Sequence, residues 1–108
     1  MVIFLTTSYL TEILEKSQKE PVIIFKYSSE CGSSDRLAKK LEKAQSEKTI
    51  TQPIYKITVQ KQPALSQAIA DFFSITHETP QVFVIHKGKL KYTAHHADID
   101  IENLKTSS

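Results

Sequence analysis

Four consecutive apolar residues, Val22-Ile23-Ile24-Phe25, constrain this chain more than any other stretch. A strand with one wet face alternates apolar and polar residues, whereas an unbroken β-branched run belongs to a strand covered on both sides. Helices must then lie above and below it, and the flanking sequence supplies them. Upstream, Leu10, Ile13 and Leu14 fall at i, i+3 and i+4, with Ser8 as the expected N-cap. Downstream, Leu37, Leu41 and Ala44 form the apolar stripe of a second helix that starts near Ser33. Its outer face carries Arg36, Lys39, Lys40 and Lys43, read first as a solvated basic surface and second as one that steers anionic thiols or clients.

The other elements follow from the same spacing rules. Val2 to Leu5 reads as a short edge strand, and Pro53 precedes a strand over Ile54 to Val59. Pro63 opens a third helix at its first turn, where a missing N–H is harmless. Leu65, Ala68, Ile69 and Phe72 give that helix its expected inner face. Val82-Phe83-Val84-Ile85, the Lys87-Gly88 turn and the alternating Leu90, Tyr92 and Ala94 predict an antiparallel hairpin. A short helix from Ile99 to Lys105, capped by Asp98 or Asp100, precedes a loose tail, Thr106 to Ser108. The sum is β-α-β-α-β-α-β-β-α, with parallel crossovers early and an antiparallel edge late. That order is the layout of a thioredoxin-like three-layer α/β/α sandwich with a mixed sheet. A length of 108 residues fits one such domain, spanning 1–108, and no second core.

Composition narrows the function classes. Fourteen basic and twelve acidic residues are interleaved, for a net charge of +2, so no strong field draws nucleic acid or a membrane surface. The apolar start, Met1 to Leu5, lacks a basic flank or a long apolar continuation, so neither a signal peptide nor a membrane span is expected. A single cysteine cannot form an internal disulfide or a multi-cysteine zinc site, and it points to the reducing cytoplasm.

That cysteine, Cys31, lies in Tyr27-Ser28-Ser29-Glu30-Cys31-Gly32-Ser33-Ser34, between the central strand and the second helix. Free N–H groups and the positive end of the helix dipole favour an anion there, which lowers a thiol pKa below its ordinary value of about 8.5. The Cys-x-x-Ser spacing is that of a redox Cys-x-x-Cys pair whose resolving cysteine has become Ser34. A lowered pKa raises the thiolate fraction but weakens each thiolate, with a Brønsted slope of about 0.45. The larger benefit is therefore that Cys31 becomes a good leaving group, as a carrier of a small thiol requires. The competing reading is a small buried hydrophobe, the usual place of an isolated cysteine.

Several neighbours are candidates for supporting roles. Ser33 and Ser34 are expected to cap the helix or to donate hydroxyl hydrogen bonds to the thiolate. Lys26, near the end of the central strand, is read either as a positive charge for Cys31 or an anionic ligand, or as a solvated strand-end lysine. His77 is expected to face the cysteine as a cationic imidazole. His95, His96 and Asp98 are metal-ligand types, but consecutive strand residues point to opposite faces, so no metal site is read there.

Three motifs add a resemblance. Leu65-Ser66-x-x-Ile69-Ala70 followed by Phe72 to Val82, with the string His77-Glu78-Thr79-Pro80-Gln81-Val82, is similar to the signature of the monothiol bacilliredoxin family. Phe25-Lys26-x-Ser28-x-x-Cys31 and Ala94-x-His96-x-Asp98-Ile99 resemble its nucleophile loop and its late segment. The family pattern has proline after the cysteine, where this chain has Gly32. Cys31-Gly32-Ser33-Ser34 thus also resembles the loop of monothiol glutaredoxins, although no Gly-Gly-x-Asp-like segment follows the hairpin.

The resemblance implies a thiol–disulfide oxidoreductase that removes bacillithiol from S-thiolated client proteins through Cys31. Bacillithiol is then a co-substrate, and no tightly bound cofactor is implied. Likeness to thioredoxin-like proteins also implies a cis Thr79-Pro80 bond facing the cysteine, with the Thr79 backbone open to an extended substrate. Lys26, His77 and His96 are the candidates to hold the head group of the small thiol. Two alternatives stay open: a glutaredoxin-like iron–sulfur carrier, and a redox-inert interaction domain of the same fold.

Overall fold

In the computed structural model, which describes residues 4–106, the apolar run becomes β2 (Val22–Tyr27), the middle strand of a five-stranded sheet. Around it the chain forms β1 (Phe4–Leu5), α1 (Leu10–Lys19), α2 (Gly32–Ser46), β3 (Ile54–Thr58), α3 (Pro63–Phe73), β4 (Gln81–His86), β5 (Lys89–His95) and α4 (Ile101–Thr106). The strand order is β1-β3-β2-β4-β5. β1, β3 and β2 run parallel; β4 is antiparallel to β2, and β5 to β4. The change from parallel to antiparallel thus falls at β2, the strand that leads to Cys31.

Both faces of β2 are covered, as its composition requires. Ile23 and Phe25 pack with Leu37 and Leu41 of α2, Val82 of β4 and Leu104 of α4. Val22 and Ile24 pack with Ile13 of α1, Leu65 and Ile69 of α3, and Phe83 of β4. Burying each such side chain contributes about 2–3 kcal/mol. Lys26 continues the second face and is fully buried, a charge where its neighbours are apolar. Among the described residues no helix is long and apolar enough to cross a membrane.

Local expectations fail in instructive places. Ser8 does not cap α1; Tyr9 occupies the cap position, and its N–H donates to the Thr7 hydroxyl at 3.2 Å. Phe72 is 52% exposed, because the inner face of α3 is set by Leu65, Ser66, Ile69, Ala70 and Phe73. Leu90 and Tyr92 do not share a face: a bulge sets Tyr92 opposite Val84 but Leu90 opposite Ile85, so Leu90 packs towards α1 and α3. A 3-10 turn at His96–Asp98 delays α4 until Ile101, and its cap is Asp100, whose carboxylate accepts the Glu102 N–H at 2.9 Å. Thr106 ends α4 rather than starting a tail. Val2, Ile3, Ser107 and Ser108 lie outside the described residues.

The β4–β5 hairpin turns through Lys87 and Gly88, both left-handed at φ 55° and 72°. Ser17, buried in α1, holds this turn: its carbonyl accepts the Lys87 N–H at 2.6 Å and its hydroxyl accepts the Gly88 N–H at 3.0 Å. Replacing Ser17 by alanine strands the Gly88 N–H and is expected to lower unfolding free energy by about 1–2 kcal/mol. Urea denaturation measures this, and a change within a few tenths of a kcal/mol would show that the bond does not anchor the hairpin.

Candidate active site

The loop between β2 and α2 is fixed by its own polar groups. The Ser28 carbonyl accepts the Cys31 N–H at 3.2 Å, and the Ser28 hydroxyl accepts the Glu30 N–H at 3.2 Å. Gln60, just past β3, donates to the same hydroxyl at 2.7 Å and accepts the Ser29 N–H at 3.1 Å. The Tyr27 hydroxyl donates to Asp35 in the first turn of α2. With every end tied, the loop delivers Cys31 to one position.

That position is the N-cap of α2, at φ −119° and ψ 115°. The Cys31 carbonyl accepts the Ser34 N–H at 3.1 Å and the Asp35 N–H at 3.4 Å. Ser33 and Ser34 are therefore not caps; they lie in the first helical turn, beside the sulfur. The Cys31 thiol, half-buried, makes no regular capping bond. Its pKa is nevertheless held below the ordinary thiol value, foremost by the Ser34 N–H. Partial desolvation opposes this, and the Ser33 N–H and the Ser34 and Ser33 hydroxyls reinforce it. Ser34 is fully buried, and its oxygen accepts the Ser28 N–H at 3.2 Å, which leaves its own proton for the sulfur. Gly32 is the first residue of α2. A proline is accommodated at that position, and Cys31 already holds the extended conformation that precedes a proline, so either residue keeps this loop.

The second loop, residues 74–80, joins α3 to β4. The Thr79-Pro80 bond is cis. Gln81, almost fully buried, braces the turn: its amide donates to the Thr76 carbonyl at 3.0 Å and accepts the Glu78 N–H at 3.2 Å. The Pro80 carbonyl accepts the His96 N–H at 3.0 Å, and the His96 ring lies 3.7 Å from the Glu78 carboxylate. His96 is left-handed, at φ 53°, and has left the strand, so the alternation assumed for His95 and His96 does not apply; their rings meet edge to face at 5.1 Å. A groove of about 720 Å³ is lined by Ser33, Arg36 and Lys40 of α2 together with Pro80, His96 and Asp100.

Lys26 and His77 form a separate cluster. Lys26 is not a solvated strand-end lysine, and, being fully buried, it has no surface for a ligand to touch. Its ammonium donates to the Ser66 carbonyl at 2.9 Å and lies 3.2 Å from His77 Nδ1. Burial lowers its pKa to about 8. The cationic form of His77 expected near Cys31 is disfavoured: partial desolvation, then the Lys26 charge, lowers its pKa, against a weaker opposing pull from Glu78. Residue spacing did not point to Gln60, which with Ser28 fixes the Cys31 loop; Ser28 and Gln81 lay within motifs already singled out.

A mixed sheet whose central strands are covered on both faces, with a thiol at the start of α2 and a cis-proline loop beside β4, defines the thioredoxin fold. Solved structures agree. A candidate oxidoreductase with a thioredoxin fold superposes with a TM-score of 0.83 at 24% identity, covering 97% of this chain and 93% of that one. A point mutant of thioredoxin from Halobacterium salinarum gives 0.72 at 20% identity over 94% and 83%. Thioredoxin from Trypanosoma brucei brucei gives 0.74 at 12% identity over 96% and 86%. The family model of the monothiol bacilliredoxin BrxC matches residues 4–104, and this chain belongs to that family. Fold and family together place it among proteins of the thiol oxidoreductase kind.

Two outcomes test the geometry. The rate of iodoacetamide alkylation plotted against pH should have its midpoint below the unperturbed cysteine value of about 8.5, and Ser34→Ala should raise it. A wild-type midpoint at or above that value contradicts the assigned role of α2. Ser34→Cys should form an internal disulfide with Cys31 on mild oxidation, seen as the loss of two hydrogens by mass. Formation of dimers alone would show that residue 34 is not at the resolving position.

Proposed function

We propose that the protein removes bacillithiol from S-thiolated client proteins. The observation that carries this reading is a thiol with a lowered pKa at the N-cap of α2, with Ser34 where a resolving thiol would sit. The Cys31 thiolate attacks the bacillithiol sulfur of the client mixed disulfide. That S–S bond breaks, the client leaves as a thiolate and takes a proton, and Cys31 keeps the bacillithiol as a new mixed disulfide. A second bacillithiol thiolate attacks the outer sulfur of the adduct, releasing bacillithiol disulfide and the Cys31 thiolate. The sum is client mixed disulfide plus one thiol, giving reduced client plus small-molecule disulfide. A turnover that depends on free thiol suits a reducing compartment such as the cytoplasm.

The groove at Ser33 and Pro80 supports the choice of thiol. Bacillithiol carries a sugar and a malyl group, and Arg36 and Lys40 line the groove together with His96, Asp100 and Glu102. Cations for carboxylates and acceptors for hydroxyls are thus available in one groove. Arg36 also donates to the Ser33 hydroxyl at 3.2 Å, so its charge sits next to the serine pair that stabilises the thiolate.

The protein should discharge a bacillithiolated client faster than the same client carrying glutathione. Lys40→Glu and His96→Ala should each lower kcat/KM for the bacillithiolated client by roughly tenfold, the size of one charge-assisted hydrogen bond, and leave iodoacetamide alkylation unchanged. Stopped-flow assay of both clients measures this. Equal rates for the two would end the bacillithiol assignment and leave the broader thiol–disulfide reading standing.

A further inference from the structure

The most unusual charge in the fold is Lys26. It lies on the inner face of β2, fully buried, over the Phe83 ring at 5.6 Å to the centroid. Among the described residues no carboxylate lies within ion-pair distance of it. An uncompensated buried ammonium is costly, and an apolar side chain of that length would fill the space without the cost. What the ammonium does in return is visible in its two polar contacts, the Ser66 carbonyl and His77 Nδ1.

An ammonium has three donors and no acceptor. It can approach His77 Nδ1 at 3.2 Å only if that nitrogen carries a lone pair, which puts the imidazole proton on Nε2. Protonating Nδ1 would set two N–H groups and two positive charges against each other. The Ser66 hydroxyl, 3.3 Å from the same Nδ1, is compatible with the lone pair. The groups facing His77 are thus Lys26 from β2 and Ser66 from α3, with Glu78 beside it in the loop.

We propose that Lys26 is a positioning residue for His77: its buried ammonium fixes the imidazole as the neutral Nε2–H tautomer, so that the exposed residue heading the Glu78-Thr79-Pro80 turn offers a hydrogen-bond donor to a peptide carbonyl of the client. The client, rather than the small thiol, is the partner because of placement. The groove at Ser33 and Pro80 is walled by α2 and the segment leading into α4, whereas His77 is bound to β2 and α3, on the other face of the sheet. The inference rests on the proposed exchange with client proteins, but its first test does not.

Nitrogen-15 spectra of the histidine-labelled protein read the tautomer directly. His77 should show an unprotonated Nδ1 and a protonated Nε2 at neutral pH, and should stay neutral below the ordinary imidazole pKa of about 6.5. Lys26→Met should give mixed tautomers and a higher His77 pKa, and Lys26→Arg should restore the single tautomer. A wild-type Nδ1–H, tautomer averaging, or a Lys26→Met spectrum identical to wild type would each overturn the proposal. If Lys26→Met does not fold, the wild-type spectrum still decides it.

The client assignment has its own readout. Lys26→Met and His77→Ala should each lower kcat/KM for a thiolated protein client by up to about tenfold, with no further loss when combined, and should spare the mixed disulfide of bacillithiol with free cysteine. Equal loss on both substrates, or no loss on the protein client, would overturn the client contact even if bacillithiol proved not to be the thiol transferred.

Discussion

The chemistry of this protein depends on one arrangement, the first turn of α2 presented to the sulfur of Cys31. The Ser34 N–H does most to favour the thiolate, and the neighbouring N–H and hydroxyl groups add to it. These donors are useful only because the sulfur cannot drift from them. Ser28 and Gln60 tie the loop to itself and to the turn after β3, while Tyr27 ties the end of β2 to Asp35. The buried core on both faces of β2 in turn fixes where that loop begins. Stability and reactivity are thus linked through one strand.

A second constraint comes from the loop that enters β4. Gln81 braces it from inside, Glu78 meets His96 on one side, and Lys26 with Ser66 holds His77 on the other. The two histidines therefore have different electrostatic surroundings although both neighbour the same turn. His96 stands next to a carboxylate and a groove with charges of both signs, whereas His77 stands next to a buried cation that disfavours its protonation. The proposed assignment of His96 to the small thiol and of His77 to the client rests on that difference.

Much of this was legible in the residues. The Val22–Phe25 run demanded two covering layers, and periodicity placed α1, α2, α3 and the hairpin. The position of Cys31 could be read because a strand-to-helix loop needs only local pattern to be recognised. What pattern could not supply was anything set by tertiary contact. A bulge between Leu90 and Tyr92 changes the face of a strand without altering its composition. Phe72 and Phe73 are both apolar, and only packing decides which turns inward. Lys26 could be read as a charge for Cys31 or a ligand, or as a solvated lysine, but not as a buried one, because burial of lysine is rare and its partners Ser66 and His77 are 40 and 51 residues away.

The central claim is that Cys31 takes a small thiol from a client and holds it until another thiol arrives. Intact-mass analysis after mixing the protein with an equal amount of bacillithiolated client, with no free thiol present, tests it most directly. The account predicts one bacillithiol adduct on Cys31, a reduced client, and loss of the adduct when free bacillithiol is added. A disulfide between Cys31 and the client protein itself, or an unmodified Cys31 beside an unchanged client, would contradict it.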